Sequence, residues 1–265
     1  VCMVPWQLYT QYGNTQVIEE NMEAMMAWLN GMDFYDFSET YPHLSAKTSG
    51  LSDWLAMDPN TPADLVNNAI YIYMMEVTAC MADAIGRTDY ADQLRMRHTL
   101  AKEEWNRAYV DESTGKTKSV DGKPVHSQSS YATPLNFNCF SDENKAKAEA
   151  WLAELAVNPS SSGLGEGNYP AYTITTGFSG TPNILPALSR AGHVEEAFRM
   201  FTSTDFTSWL YPVTKGATSI WERWNGYEVA FAEGHSTAMN SFNHFALGAV
   251  GQWMYEYQLG ITNNH

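Results

Sequence analysis

Apolar residues recur at every third or fourth position through most of this chain, which is the spacing of one face of an α-helix. Capping and turn residues divide the pattern into about nine predicted helices. They cover residues 1–12, 15–31, 61–86, 90–109, 127–140, 146–157, 181–192, 193–201 and 239–257. No alternation of apolar and polar residues is long enough to predict a strand series. We therefore expect an all-α array of antiparallel helical hairpins.

Local signals mark the ends of these helices. Gly13 and Gly86 follow the first and third helices and favour termination there. Thr61 and Thr181 each precede a proline, so we expect both threonines to cap helices whose first position is the proline. The apolar stripe of the first helix consists of Val1, Val4, Leu8 and Tyr12.

Two long stretches, residues 32–60 and 202–235, lack helical periodicity. Long ordered loops of this kind more often carry function than merely connect helices. Helical hairpins form either an open solenoid or a closed toroid. A solenoid shows a repeat of fixed length, and this chain shows none. The uneven hairpins favour a toroid whose loops gather at one end and surround a pocket.

Composition and charge narrow the possible partners. Thirty acidic and fifteen basic residues give a formal net charge of −15, which disfavours nucleic acids and anionic membranes. No apolar run reaches the roughly eighteen residues that cross a bilayer. Cys2, Cys80 and Cys139 are odd in number, widely spaced and not arranged as Cys-x-x-Cys, so we predict neither a disulfide framework nor a zinc site and interpret them as core residues. The histidines lack metal-ligand spacing, and P-loop and dinucleotide motifs are absent, so we predict neither metal nor cofactor.

A carboxylate flanked by two indoles is the most suggestive chemical feature. The Trp-Glu-Arg-Trp run at residues 221–224 lies between Gly216 and Gly226. An aromatic ring covers the C–H face of a sugar while charged groups bind its hydroxyls, so the run fits a carbohydrate site. The structural alternative is that Trp221 and Trp224 form one core-facing stripe and that Glu222 forms an ordinary ion pair with Arg223.

Glycoside hydrolysis requires two carboxyl groups, one on each side of the scissile bond. Glu222 is a candidate for one of them. Carboxylates in the irregular regions are candidates for the second, although most loop acids are simply solvated. These residues are Asp36, Glu39, Asp53, Glu166, Glu228 and Glu233.

Further side chains are candidates for sugar binding. Trp54 follows Asp53 in the first long loop, where it either stacks on a sugar or is simply packed. His244 follows Glu222 closely enough for the first turn of the last helix to return it to the same pocket, although a histidine in a helix is more often structural. We interpret His193 as a helix-start residue and His235 as a loop residue.

Five blocks in order resemble the catalytic domain of bacterial α-L-rhamnosidases. The blocks are Thr-Gly-Phe-Ser-Gly-Thr-Pro with Leu-Pro-Ala-Leu at 176–188, Ser-Trp-Leu-Tyr-Pro-Val at 208–213, Gly-Ala-Thr at 216–218, Ile-Trp-Glu-Arg-Trp at 220–224 and Met-Asn-Ser-Phe-Asn-His at 239–244. The resemblance covers essentially the whole chain and is strongest beyond about residue 170. Members of this family are inverting glycoside hydrolases, and the resemblance implies an (α/α)6 toroid.

The resemblance also implies roles for individual residues. Glu222 matches the general base and His244 matches a histidine that contacts rhamnose. Trp54 matches a sugar-facing indole, and Trp6, in a Val-Pro-Trp block, is a further substrate-binding candidate, as are Trp221 and Trp224. Two positions depart from the family: Asn225 stands where Asp is usual, and Phe245 stands where Tyr is frequent.

The family's general acid lies in an upstream Arg-x-Glu-Arg-Leu-Gly-Trp block that is absent from residues 1–265. A full toroid has twelve helices, so we expect these residues to be a single partial catalytic domain that lacks its N-terminal helices. The expected function is hydrolysis of terminal α-L-rhamnosyl residues with inversion, with upstream domains of the same polypeptide as partners. The alternatives are another toroidal glycosidase, a polysaccharide lyase or a non-catalytic carbohydrate-binding fragment.

Overall fold

The computed structural model of the protein describes residues 1–32, 39–45, 52–58, 61–159, 168–231 and 239–262. Across these ranges the regular structure is helical, and β-pairing is limited to isolated bridges. The α-helices are α1 Met3–Tyr12, α2 Gln16–Met32, α3 Ala63–Ala84, α4 Thr88–Tyr109, α5 Gln128–Asn136, α6 Asp142–Val157, α7 Thr181–Arg190, α8 Val194–Thr202, α9 Leu210–Thr214, α10 Gly226–Phe231 and α11 Val250–Trp253. A 3₁₀ turn, Ala246–Ala249, and a π-helical turn, Met254–Gln258, extend α11 into one C-terminal helical segment. The predicted all-α fold is confirmed.

The helices pack as hairpins in two layers. The pairs α1–α2, α3–α4, α5–α6 and α7–α8 are each in direct contact. In addition α3 contacts α1 and α5, while α7 contacts α5 and α11. The helices α1, α3, α5 and α7 therefore form an inner layer together with the C-terminal helical segment, and their hairpin partners lie outside it.

The connections are divided between the two ends of this array. Short connections join the helices within each hairpin, and long ones lead from one hairpin to the next. Successive long connections meet beside the amino ends of the inner helices. The hydroxyls of Thr61 and Ser127 lie 2.6 Å apart there, and Asp53 accepts a hydrogen bond from the backbone N–H of Gly180 at 2.8 Å. We call this side of the molecule the loop end.

Helical periodicity explains the core of the α3–α4 hairpin. On α4, Leu94, Ala101 and Trp105 recur on one face and are fully buried. They meet the apolar face of α3, where the carbonyl of Leu65 accepts a 3.1 Å hydrogen bond from Trp105 Nε1. This bond satisfies the one polar atom of a fully buried indole.

The capping predictions for Thr61 and Thr181 are wrong. Helix α3 begins at Ala63 and α7 at Thr181, and neither has a side-chain hydrogen bond at its N-cap. The Thr61 hydroxyl instead bonds Ser127, and Thr181 Oγ1 lies 2.8 Å from Thr176 Oγ1. The Thr61–Ser127 bond joins segments that are 66 residues apart in sequence, which is an interaction that a local pattern does not encode.

The predicted final helix begins too early. Residues 239–245 are not helical, and the C-terminal helical segment starts only at Ala246. Likewise α5 ends at Asn136 rather than near residue 140, because Asn138 takes a positive φ of 52° that ends the helical path. The predictions also omitted the short helices α9 and α10 inside the second irregular region.

The apolar stripe that predicts α1 faces outward. Val4 is 66% exposed and Tyr12 is 76% exposed, while α1 packs on the core through Pro5, Trp6 and Tyr9.

Cys2 and Cys139 are buried as expected, whereas Cys80 is exposed. Within the described ranges, none of the helices combines the length and apolar character that crossing a membrane requires.

Candidate active site

Two irregular segments meet at the loop end. We name residues 219–226 the tryptophan segment and residues 239–244 the return segment. The N–H of His244 donates to the carbonyl of Ile220 at 2.8 Å, and the N–H of Glu222 donates to the carbonyl of Ser241 at 2.8 Å. The Ser219 hydroxyl donates to the carbonyl of Phe242 at 2.5 Å. These bonds place residues 219–222 beside residues 241–244, although Glu222 and His244 are 22 positions apart in the sequence.

The Glu222 carboxylate is buried and held by the main chain. Glu222 is only 4% exposed, and its Oε2 accepts a 2.8 Å hydrogen bond from the N–H of Ser241. Because Glu222 also donates its own N–H to Ser241, the two residues form a reciprocal pair. Such a pair fixes both the backbone and the carboxylate orientation of Glu222.

Arg223 does not pair with Glu222. Its Nε donates to Asn225 Oδ1 at 3.2 Å and its Nη1 donates to the carbonyl of Met239 at 3.3 Å. The structural alternative of an ordinary Glu222–Arg223 ion pair is therefore wrong. Asn225, where the family usually has Asp, still binds this guanidinium, so the arginine stays anchored to both segments.

His244 presents a defined ring nitrogen. Its Nδ1 accepts a 3.2 Å hydrogen bond from the N–H of Ala246, which leaves the proton of the neutral imidazole on Nε2. The ring stacks on Phe245 with centroids 5.1 Å apart and also contacts Phe178 at 5.1 Å. Phe245, at the position where the family often has Tyr, keeps this ring contact but lacks the hydroxyl. It is 86% exposed.

The two indoles of the tryptophan segment have different environments. Trp224 is 2% exposed, and its Nε1 donates to the carbonyl of Thr176 at 2.7 Å, with its ring edge-on to Trp209. Trp221 packs edge-on against Phe242 at 5.0 Å. Trp221 is also buried, at 6% exposed, so both indoles are packed in the interior, each against a different aromatic neighbour.

An apolar cavity lies behind the tryptophan segment. It has a volume of about 310 Å³, and Trp209, Trp221, Arg223, Trp224 and Leu247 are among its lining residues, whereas Glu222 is not. The role of Trp221 and Trp224 as sugar-binding rings stays a prediction, and the burial of Trp224 favours a packing role.

Trp54 lines a second cleft at the loop end, of about 230 Å³, which Asp53 and Thr61 also line. Its carbonyl accepts a 2.9 Å hydrogen bond from the N–H of Phe178, the residue whose ring contacts His244. The contacts therefore connect Trp54 to His244 through Phe178, and the half-buried indole of Trp54 remains accessible in the cleft.

Asp53 is a buried structural carboxylate. Its two oxygens accept hydrogen bonds from the N–H groups of Gly177 at 2.7 Å, Ser179 at 2.9 Å and Gly180 at 2.8 Å, and from the hydroxyl of Ser129. Burial raises the pKa of Asp53, while these four bonds act in the opposite direction. A Cβ atom on Gly177 would lie 2.2 Å from the carbonyl oxygen of Trp54, so only glycine permits this close approach.

A family comparison agrees with this arrangement. The sequence model of the bacterial α-L-rhamnosidase six-hairpin glycosidase domain matches residues 1–258. The chain belongs to this family. Membership confirms the resemblance that the sequence blocks indicate, and the family's six-hairpin domain agrees with the hairpin layers described above.

Individual rhamnosidases match nearly the whole chain. An α-L-rhamnosidase of Streptomyces avermitilis is 33% identical over 264 residues, covering 98% of this chain and 23% of that protein. One from Formosa agariphila is 29% identical over 271 residues, covering 99% of this chain and 27% of that protein. The chain therefore spans about a quarter of the length of these relatives.

Solved rhamnosidase structures share the fold. The crystal structure of Streptomyces avermitilis α-L-rhamnosidase complexed with L-rhamnose superposes with a TM-score of 0.82 at 32% identity, covering 98% of this chain and 23% of that one. The native enzyme of Aspergillus terreus superposes with a TM-score of 0.78 at 26% identity, covering 96% of this chain and 28% of that one.

Other predicted site residues lie away from Glu222 or outside the described residues. Trp6 lies on α1, where it is partly buried against the core with its ring centroid 6.1 Å from that of Tyr9. Glu39 is exposed. Asp36, Glu166, Glu233 and His235 lie outside the described residues.

Two further residues are held by local contacts. Glu228 is exposed and accepts a hydrogen bond from the hydroxyl of Tyr211, and burial together with this bond raises the pKa of Tyr211 to about 12. His193 is the N-cap residue of α8, which agrees with its interpretation as a helix-start residue.

Two contributors to the site are absent from the sequence-based predictions. Phe178 contacts His244 and lies between Gly177 and Gly180; an aromatic residue between two loop glycines is the signal that could have identified it. Ser241 acts through its backbone N–H, and its side chain carries no signal for that role.

Proposed function

We propose that this chain supplies the general base and part of the sugar-binding surface of an α-L-rhamnosidase that removes terminal α-L-rhamnosyl residues from glycosides or polysaccharides with inversion. The observation that carries this proposal is the pairing of the tryptophan and return segments. It orients the buried Glu222 carboxylate through Ser241 and brings it beside His244 in a member of the rhamnosidase family.

The proposed reaction assigns one role to each oxygen of Glu222. Oε2 is held by Ser241, so Oε1 accepts a proton from the attacking water. The water oxygen forms a bond to the anomeric carbon while the bond to the leaving oxygen breaks, which inverts the configuration. A carboxylic acid outside residues 1–265 protonates the leaving oxygen, and inversion requires it to lie about 6.5–9.5 Å from Glu222 so that water fits between them.

Two candidates for the general acid, Asp53 and Glu228, hydrogen bond to neighbouring parts of the chain. Asp53 accepts four hydrogen bonds, three from the backbone of residues 177–180 and one from Ser129 at the start of α5, and Glu228 accepts one from Tyr211. Both carboxylates are engaged in holding the fold. We assign the acid to an upstream part of the polypeptide because the Arg-x-Glu-Arg-Leu-Gly-Trp block that carries it in the family is absent from this sequence.

His244 and Trp54 are the proposed sugar contacts. Nε2–H of His244 is suited to donate to a rhamnose hydroxyl. Trp54 lines a cleft at the loop end, and its carbonyl accepts a hydrogen bond from Phe178, whose ring contacts His244. An indole in such a cleft is suited to cover the apolar face of the deoxysugar, including its methyl group.

We expect His244→Ala to weaken the binding of L-rhamnose about tenfold, because it removes one hydrogen bond of roughly 1.4 kcal/mol. Isothermal titration calorimetry of the chain with L-rhamnose measures this change. His193→Ala, at the start of α8, is the matched control and should leave the dissociation constant unchanged. Equal affinities for the parent chain and the His244 variant would remove His244 from the sugar site.

The reaction is tested with two substrates of different leaving group. Fluoride departs without a proton, so the chain should hydrolyse α-L-rhamnosyl fluoride with Glu222 alone. An aryl α-L-rhamnoside should react at least about 100-fold more slowly, because general acid catalysis typically contributes that much or more. NMR should show β-L-rhamnose as the first-formed sugar. First-formed α-L-rhamnose would contradict inversion, and rapid aryl hydrolysis would place the acid within this chain.

The alternatives give distinguishable outcomes in the same assays. A polysaccharide lyase would release unsaturated products that absorb in the ultraviolet, and another toroidal glycosidase would turn over a different sugar in a substrate panel. A non-catalytic fragment would bind L-rhamnose without accelerating loss of fluoride above the spontaneous rate.

A further inference from the structure

Asn240 contains a buried oxygen without a hydrogen-bond partner. Its Nδ2 donates to the carbonyl of Gly226 at 2.8 Å, but within the described part of the chain its Oδ1 is buried and unpaired. A buried acceptor left without a donor destabilises the folded state. Stability alone therefore does not account for an amide at this position, and such an exception calls for a specific explanation.

The position of Asn240 suggests what the amide does. The carbonyl of Asn240 and the N–H of Ser241 belong to the same planar peptide unit, and that N–H donates to Oε2 of Glu222. Holding the Asn240 side chain on Gly226 restricts rotation of this peptide plane. The direction of the hydrogen bond to Glu222 is thereby restricted as well.

The contacts of the two segments bracket Glu222. On one side the N–H of His244 donates to the carbonyl of Ile220. On the other side Asn240 reaches past the Glu222–Ser241 pair to Gly226 at the end of the tryptophan segment. Arg223 also holds the start of the return segment, through a longer 3.3 Å bond from its Nη1 to the carbonyl of Met239.

The lack of a side chain at Gly226 leaves room for the Asn240 amide. It is buried, and a Cβ atom added there would lie 3.1 Å from Asn240 Oδ1 and 3.2 Å from the Trp221 ring. These separations are shorter than ordinary contacts between carbon and its neighbours. The absence of a side chain at residue 226 thus lets the amide and the indole pack against the same stretch of backbone.

We propose that Asn240, seated on Gly226, is a positioning residue that aims the Ser241 N–H at Glu222 and so orients the general base. This inference rests on the proposed function, because it assigns Asn240 a role in the step that Glu222 catalyses. Asn240 touches neither the sugar nor the water in this scheme. It acts through the peptide unit that it shares with Ser241.

The test compares Asn240→Ala with the parent chain on α-L-rhamnosyl fluoride. We expect kcat to fall about 10- to 100-fold, since small misplacements of a catalytic group cost about this much, with KM within about twofold. The melting temperature should change by no more than about 3 °C, because the lost bond is offset by removal of the unpaired oxygen. Asn243→Ala removes an exposed amide from the same return segment and is the matched control.

A double-variant measurement separates positioning from general damage. In a Glu222→Ala background, azide attacks the anomeric carbon without losing a proton and therefore needs no base. Adding Asn240→Ala to this background should leave the azide rate unchanged within about twofold, because no carboxylate remains to be oriented. An equal loss in both backgrounds would overturn the proposal, as would unchanged hydrolysis by the single variant.

Failure of the proposed function has a different result. If the parent chain does not accelerate hydrolysis of the fluoride, or if Glu222→Ala has no effect on it, the proposed function itself is wrong. If Asn240→Ala does not fold, Asn240→Asp keeps the size of the side chain but removes the donor to Gly226. The same fall in kcat is expected for it, and full activity would contradict the positioning role.

Discussion

Glu222→Gln should lower kcat for α-L-rhamnosyl fluoride by at least about two to three orders of magnitude, because a positioned general base contributes about 10²- to 10⁴-fold. The amide is close in size to the carboxylate and keeps an oxygen for the Ser241 N–H, which donates to Glu222 Oε2 at 2.8 Å. It does not accept the proton of the attacking water. The loss should therefore appear in kcat, measured by release of fluoride under saturating substrate.

Azide provides a second readout for the same residue. With Glu222→Ala, sodium azide should restore consumption of the fluoride, and the product should be β-L-rhamnosyl azide. The anion forms the new bond at the anomeric carbon and fluoride leaves with the electrons of the broken bond, so no proton is transferred. A β configuration identified by NMR would support attack from the side of Glu222, opposite the leaving group.

The control for Glu222 is a carboxylate of the same type far from the site. Glu195 lies on the outer helix α8 with its side chain 72% exposed, where it pairs with Arg199. Glu195→Gln should retain activity within about twofold, as surface substitutions usually do. A Glu222→Gln variant that is folded and as active as this control would exclude Glu222 as the base.

Asp53→Ala should reduce the free energy of unfolding by about 3–5 kcal/mol, because it leaves several donors buried without an acceptor. The donors are the N–H groups of Gly177, Ser179 and Gly180 and the hydroxyl of Ser129. For a chain of this size such a change lowers the melting temperature by about 6–20 °C. Urea unfolding followed by tryptophan fluorescence measures the free energy.

Two comparisons make this prediction specific. Asp92→Ala removes an exposed carboxylate that lies 3.6 Å from Arg95 and should change stability by no more than about 0.5 kcal/mol. Asp53→Asn keeps one acceptor oxygen and should cause a smaller loss than alanine. If Asp53→Asn abolished turnover without affecting stability, Asp53 would be a catalytic acid rather than a structural clamp.

The helices were largely predictable because their signals are local. The apolar residues of α4 recur at the spacing that buries Leu94, Ala101 and Trp105, and Gly13 ends α1 with a positive φ of 66°. The same signals gave errors where a side chain bonds across the fold. Thr61 has the sequence of a cap, yet its hydroxyl binds Ser127 in a distant loop.

The candidate site was predictable only in part. The order of the sequence blocks identified Glu222 and His244 as related residues, and the return segment indeed pairs with the tryptophan segment. The predicted helix at residues 239–245 is wrong because backbone groups there bond to the tryptophan segment instead of to one another. Main-chain donors such as the Ser241 N–H are present in nearly every residue, so no sequence pattern marks the one that holds a carboxylate.

The sequence by itself determined the all-α hairpin class and the family, because periodicity and ordered motifs are properties of neighbouring residues. Only the tertiary structure decided that Arg223 binds Asn225 rather than Glu222, that Asp53 accepts hydrogen bonds from the backbone of residues 177–180, and that Asn240 hydrogen bonds Gly226. The last two depend on the close approach of segments distant in sequence. Such an approach is fixed by packing and by main-chain hydrogen bonds, which residue types alone do not specify.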